Sequence, residues 1–515
     1  MTDTTYAADD ECRGFLFATC FVALIATSFA FIIRAFIIDE QAVEFGLSEA
    51  QKGELFGAGL WPFAISIVLF SLVIDRVGYG RALWFAFACH VISVIVTLFA
   101  RGYWGLYLGN FIAALGNGTV EAVINPVIAT VFWKQKTKWL NILHAGWPGG
   151  LVIGGLLTLG VASFFTDLDW RWKVGLLLIP TIVYGVMLLR THFPINERVA
   201  AGVPYKAMLA EFGAFGALVA GGLVIWELAR VGGTAYGIDP QAWRVTAGVI
   251  IGLVVVSFGL ISQSFGRPLF GFLLIVMLLL ATTELGTDAW IRELMSPAME
   301  RSFDIDGGWV LIYTASIMIV LRLFCGPIVK LLNPLGLLAV SCLFAAAGLA
   351  LLSGASGIYI LLAATVYGIG QTFFWPTTLG LVAEQFPKGG ALTLNAIAGV
   401  GMLGVGVLGA PLLGQIQDRH IERTLVASEP ELAATVLGQP MTGAVGSYRK
   451  IDADLEKTLP QEKAKTLDDA RAEAKQSALL QVTALPLVMF VCYVGLLIYF
   501  KSRGGYRPET IMTPT

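Results

Sequence analysis

The sequence predicts an all-α integral membrane protein with fourteen transmembrane helices, and three observations carry that reading. Hydrophobic residues make up 57% of the 515 positions and charged residues 14%, where a soluble domain holds ~45–50% apolar and ~25% charged residues. The apolar residues gather in unbroken runs of the ~20 residues that a helix needs to cross a bilayer, not in the short alternating segments of a membrane barrel. The same order of features also appears twice along the chain. A soluble enzyme and a disordered chain are excluded. The 34 basic and 36 acidic residues balance, so there is no basic face for nucleic acid. The six cysteines mostly lie in apolar runs and show neither metal-ligand spacing nor a disulfide framework.

The N-terminus is polar through Arg13 and passes into a full-length apolar run at 14–38. This run reads as a first span and not as a cleavable signal. Runs 52–74, 82–100, 104–131, 139–165 and 173–191 follow, and a polar connection, 192–207, closes this set of six. An extra pair comes next, 208–231 and 245–265, then 268–291, 308–331, 335–354, 357–383, 391–416 and 480–500. The expected division is therefore a six-helix bundle at 1–191, a linker and inserted pair at 192–267, and a second six-helix bundle at 268–515. Residues 417–479 are too polar to span and form a long loop, partly helical between Tyr448 and Gln476, that reads as a solvated cap.

Lys and Arg concentrate in alternate short loops: Arg76 and Arg81; Lys134, Lys136 and Lys138; Arg190, Arg198 and Lys206; Lys388. The positive-inside rule makes these loops cytoplasmic. Both termini are then cytoplasmic, and the protein is expected in the inner or plasma membrane as a monomer surrounded by lipid.

The repeat is clearest in the fourth and twelfth runs. Gly118-Thr-Val-Glu121-Ala-Val-Ile-Asn125-Pro126 aligns with Gly368-Ile-Gly-Gln371-Thr-Phe-Phe-Trp375-Pro376, which sets Glu121 against Gln371 and Asn125 against Trp375. A basic loop and a Gly-rich helix starting near Asn141 or Asn395 follow in each copy. Parallel six-span halves enclose a site near the membrane midplane in one transporter architecture.

The loop after the second run, Ser71-Leu-Val-Ile-Asp75-Arg76-Val-Gly78-Tyr-Gly80-Arg81, resembles the loop motif of the major facilitator superfamily, with Ser71 at the usual glycine. The resemblance implies the major facilitator fold and a gating role for Asp75, Arg76 and Arg81 on the cytoplasmic face. The second copy, Arg322 to Lys330, keeps Arg322 and Gly326-Pro327 but has Lys330 where the acid stands. Glu121-Ala-Val-Ile-Asn125-Pro126 with Leu140-Asn141-Ile-Leu-His144 is similar to the fucose–galactose–glucose:proton symporter family. That likeness implies sugar binding and proton coupling at Glu121. The family's first-span aspartate has no counterpart here, where Arg34 follows Phe29 to Ile33.

Charges inside spans cost about 2.5–3.5 kcal/mol each on insertion scales and face the bundle interior. Glu121 and Asn125 lie one turn apart on one helix face, as a proton carrier with a hydrogen-bonding neighbour would. Glu284 and Asp288 are likewise one turn apart. Arg34 sits at a similar depth, which points to an Arg34–Asp288 or Arg34–Glu284 pair closing the outer side. Arg322 is placed to neutralise Glu284, to bind an anion or to gate. Gln371, Trp375, Asn141 and His144 complete the candidate substrate and proton site. No catalytic constellation, metal cluster or cofactor motif appears. The expected function is alternating-access movement of a small polar solute, a sugar with a proton. A drug exporter and a non-transporting sensor stand as alternatives.

Overall fold

The computed structural model describes residues 10–47, 49–164, 169–443, 446–456 and 459–511. The first group of helices comprises α1 (Asp10–Phe45), α2 (Glu49–Ala58), α3 (Trp61–Val77), α4 (Tyr79–Leu98), α5 (Tyr103–Val131), α6 (Lys136–Leu143), α7 (Gly146–Phe164), α8 (Trp170–Gly175) and α9 (Leu178–Leu188). A short α10 (Glu197–Ala200) leads to the inserted pair, α11 (Tyr205–Gly216) running on into α12 (Gly222–Ala235), then α13 (Pro240–Ser262). The second group begins with α14 (Pro268–Ala281), α15 (Thr287–Phe303), α16 (Gly308–Leu323), α17 (Gly326–Leu331) and α18 (Pro334–Leu352). It continues with α19 (Tyr359–Gln371), α20 (Phe374–Gln385), α21 (Gly390–Gly404) and α22 (Ala410–Ser428). After α23 (Pro430–Val436), β1 (Leu437–Gly443), β2 (Gly446–Ile451) and α24 (Ala453–Glu456), the chain returns through α25 (Gln461–Val482) and α26 (Ala484–Ser502).

Twelve helices among the described residues are long and apolar enough to span a membrane, thirteen if a bent pair is counted as one span, where fourteen runs were expected. The two runs that fall short are broken. Run 308–331 is split between α16 and α17, and α16 meets the end of α15 at a bend of 100°. Run 357–383 is split between α19 and α20 at Thr372 and Phe373.

The reason for the second break is local. Pro376 has no N–H to give the carbonyl four residues back, so the Thr372 carbonyl is freed. The Arg322 guanidinium takes that carbonyl, Nε donating at 2.6 Å. In the aligned position Pro126 frees the Ala122 carbonyl, which accepts from Asn395 Nδ2 at 2.9 Å. Inside a membrane such groups must be satisfied by protein, and both copies of the repeat do so with a polar side chain from another helix.

Close approach elsewhere depends on glycine. A Cβ at Gly118 would lie 2.1 Å from the Phe63 carbonyl oxygen, and one at Gly380 would lie 2.7 Å from Thr137 Cα. Small residues let α5 meet α3, and α20 meet α6, at backbone distance. The two groups touch where α21 packs on α3 and α5, α20 on α6, and α16 on α7, while the inserted pair lies against α14 and α21.

The polar segment 417–479 is a folded cap and not wholly α-helical. Its antiparallel hairpin, β1 with β2, packs beside α22, and α22 packs on α25. Ile421, Leu425, Leu432, Val436 and Leu467 give the cap its own apolar core. The helix expected within Tyr448–Gln476 is present as α25.

Candidate functional site

A hydrogen-bonded chain runs through the middle of the molecule. Glu121, on α5, is buried, and its Oε2 accepts from Asn125 Nδ2 at 2.7 Å. The Asn125 Oδ1 faces His144 Nε2 at 2.8 Å. With the amide nitrogen committed to a carboxylate, the oxygen needs a donor, so His144 carries its proton on Nε2. The His144 carbonyl accepts from Arg322 NH1 at 2.8 Å, and Arg322 NH2 donates to Glu284 Oε1 at 3.1 Å. Glu284 Oε2 then accepts from the Trp375 backbone N–H at 3.1 Å. All three Arg322 nitrogens are therefore used, and one of them grips the first group from the second. Glu121, His144, Glu284, Arg322 and Trp375 line one small cavity of about 20 Å³, room for about one water molecule.

Phe63, Trp147, Leu285 and Met402 also line that cavity, and the same four line a larger one of about 320 Å³. They form an apolar layer between the two. The larger cavity lies between the helix groups at the end of the molecule opposite the basic loops, here termed the far end. Arg34 enters from the first group and Asp288 from the second, with Phe31, Phe56 and Asn117 among the walls. Arg34 does not ion-pair with Asp288 or Glu284 in this structure; Glu284 is held by Arg322. Among the described residues the Arg34 guanidinium has no hydrogen-bond or ion-pair partner.

The basic-loop end is closed. Lys136, buried at the start of α6, pairs with Glu197 Oε2 at 2.6 Å and donates to the Ala383 carbonyl of α20 at 3.1 Å. Glu384 Oε1 accepts from the Thr137 hydroxyl at 2.5 Å and from its backbone N–H at 3.3 Å. A carboxylate from one group thus caps a helix start in the other. Asp75 pairs with Arg198 at 2.5 Å. Arg198 also packs beside Gly390, whose φ of +50° needs glycine and whose absent side chain admits Asn196 and Arg198. Arg76 lies 5.2 Å from the ring centre of Tyr205. Arg81 and Lys330 are exposed.

The remaining expected residues lie near this chain but outside both cavities. Asn141 Nδ2 donates to the Thr137 carbonyl at 2.8 Å and reaches Thr377 Oγ1 across the groups at 3.3 Å. Gln371 donates to Met318 Sδ at 3.4 Å, and its Oε1 has no partner. Sequence reasoning used Lys136 and Arg198 only to set orientation and passed over Glu197 and Glu384. The signal available was acids placed beside basic loops otherwise rich in cations.

Parts of the chain resemble curated proteins. A gentisate transporter of Corynebacterium glutamicum is 25% identical over 179 residues, which are 35% of this chain and 40% of the relative. The Bacillus subtilis protein NiaP, named as a niacin/nicotinamide transporter, is 22% identical over 167 residues, 32% of this chain and 40% of the relative. The chain therefore spans well under half the length of either relative. Among solved structures, FucP in the outward conformation superposes with a TM-score of 0.57 at 12% identity, covering 93% of this chain and 98% of that one. The model of the Major Facilitator Superfamily matches residues 15–411. Two groups of spanning helices around a central cavity, each with a proline-freed carbonyl taken by a side chain of another helix, and a family match over most of the sequence place the chain in the Major Facilitator Superfamily.

Proposed function

We propose that the protein is a secondary active transporter that takes up a small cyclic organic anion, such as a ring carboxylate, together with a proton. The observation that carries this reading is Arg34: a guanidinium without a protein partner in a cavity with aromatic walls between the two helix groups. An unpaired charge inside a membrane protein is costly, and a planar carboxylate is the ligand that a guanidinium fork fits best. Of the two relatives named above, one is named for gentisate and the other for niacin or nicotinamide; gentisate and niacin are ring carboxylates, which supports the same choice.

With the basic loops cytoplasmic, the larger cavity faces outward in the plasma membrane. The anion enters it and pairs with Arg34 while the rings of Phe31 and Phe56 cover its apolar face. Closure brings Arg34 toward Asp288, and the Phe63–Trp147–Leu285–Met402 layer parts so that solute reaches the central cavity. The basic-loop end opens as the Lys136 and Thr137 contacts break.

Glu121 carries the proton. Protonated, its Oε2 becomes a donor, so the Asn125 amide turns and presents its oxygen. The amide nitrogen then faces His144, which must accept on Nε2 and hold its proton on Nδ1. One proton on Glu121 resets three groups and leaves the Arg322–Glu284 pair untouched. An anion moved with one proton crosses without net charge.

The test is uptake by proteoliposomes with an acidic exterior. Gentisate or nicotinate should accumulate, and Arg34→Gln should lower uptake about 100-fold, as loss of a desolvated charge pair worth about 2–5 kcal/mol implies. Glu121→Gln should abolish accumulation but keep exchange of labelled for unlabelled solute. No uptake of either acid by the wild type would sink the reading. A sugar is the second reading, favoured by the two carboxylates and Trp375 around the central cavity. It predicts fucose or xylose uptake that survives Arg34→Gln.

A further inference from the structure

A third cavity, of about 600 Å³, opens at the basic-loop end and belongs to neither part of the solute path. It lies between the start of α1, the end of α5 and the segment that follows α9. Arg13, Arg190 and His192 line it, with Glu11 as the opposing acid and Phe15 and Phe193 among the apolar walls. The three elements meet where helices leave the membrane. Leu189 (72% exposed), Val186 (60%) and Phe15 (38%) continue the apolar wall outward onto the flank of the bundle.

We propose that this cavity binds the headgroup of an anionic phospholipid. Among the described residues, the Arg190 and Arg13 guanidinium groups and the His192 imidazole line the cavity with one carboxylate, Glu11, a balance that favours a phosphate diester. Basic pockets between helices at this depth suit such headgroups. The exposed Phe15, Val186 and Leu189 side chains lie where the acyl chains would run.

The site is wired to the closed end. Directly below it the Thr191 and Thr19 hydroxyls meet at 2.9 Å and join α9 to α1. Phe193 packs on the first turn of α4, with its ring 3.3 Å from where a Gly80 side chain would begin. Three to five residues on from Phe193, Asn196 donates to the Tyr79 hydroxyl at 2.8 Å, Glu197 holds Lys136, and Arg198 holds Asp75. A headgroup that fixes residues 190–193 therefore fixes the strand of chain that carries half of the lock. Bound lipid stabilises the conformation with the basic-loop end shut.

The test compares thermal unfolding of the purified full-length protein in detergent supplemented with phosphatidylglycerol, with phosphatidylcholine, or with inorganic phosphate. Phosphatidylglycerol should raise the unfolding temperature by several degrees, phosphatidylcholine and phosphate should leave it unchanged, and Arg13→Gln/Arg190→Gln should lose the rise. Arg503→Gln, a change of basic charge on the same end but outside the cavity, should keep it. Equal stabilisation by both lipids, or a rise that persists in the double variant, overturns the proposal. So does phosphate alone reproducing the effect, which would mark a site for a free anion. Should the double variant not fold, photo-crosslinking of a diazirine phosphatidylglycerol to the wild type decides. Label confined to peptides covering 11–16 and 189–194 supports the site, and label spread over all helices overturns it.

Discussion

The two ends of the cleft between the helix groups treat charge differently. At the basic-loop end, buried charges are answered by the protein itself: Lys136 by Glu197 and a helix-end carbonyl, Asp75 by Arg198, and Glu384 by the start of α6. At the far end, Arg34 and Asp288 face one cavity from opposite groups without joining. An alternating-access protein must make and break one set of contacts as it makes the other. On the mechanism proposed above, the basic-loop contacts belong to the present conformation and an Arg34–Asp288 encounter to the other.

The largest expected effect comes from breaking the closed end. Lys136→Met leaves Glu197 buried without its cation and should cost about 3–5 kcal/mol, while Lys136→Met with Glu197→Leu should recover most of that loss. Thermal unfolding measures both, and an additive double change would break the pairing argument. A smaller and more selective effect is expected at the far end. Asp288→Asn should keep the affinity for an organic anion and lower turnover about tenfold, because a coupling of about 1–3 kcal/mol in the closed state is lost. Binding and transport measured on one preparation separate the two quantities, and equal losses in both would assign Asp288 to the solute and not to closure.

The smallest effect belongs to the cap, outside the membrane. A side-chain hydrogen bond from Arg471 holds the Glu456 carboxyl below the usual carboxylate range, with its charge adding to the effect. A carboxylate depressed in the folded state contributes stability above its unfolded pKa, and that contribution fades as pH falls through the folded value. The pair is partly exposed and small in energy. Protection of the α25 amides, taken relative to their intrinsic exchange rate at each pH, should therefore fall modestly on acidification below the carboxylate range, and Glu456→Gln should flatten that response. An unchanged slope in the variant would remove the pair from the cap's stability.

Much of the centre was legible in the sequence because it rests on spacing within one helix or on the repeat. Glu121 and Asn125 are one turn apart, so their contact follows from helix geometry. The repeat alignment put Pro126 against Pro376, and the structure adds that each proline's freed carbonyl finds a side-chain donor. The pairing of Glu284 was open between Arg34 and Arg322, since depth along a helix does not give the rotation of one helix against another. The broken helix at Thr372 was hidden because an apolar run has the same composition whether or not its backbone is continuous. The hairpin 437–451 was missed for a related reason. Its residues, Pro440 and several glycines among them, carry weak strand signals, and packing against α22 decides their conformation.

The 42-residue helical stretch from Pro387 to Ser428 lines the large cavity through Met402 and Val405 and then runs on into the cap. At about 1.5 Å per residue it far exceeds the roughly 30 Å hydrocarbon layer. On the rocking proposed above, such a stretch acts as a pointer: a few degrees of tilt at the solute path become ångströms of sweep at its tip. A fluorophore on the cap would thus report each turnover of the buried path from outside the bilayer.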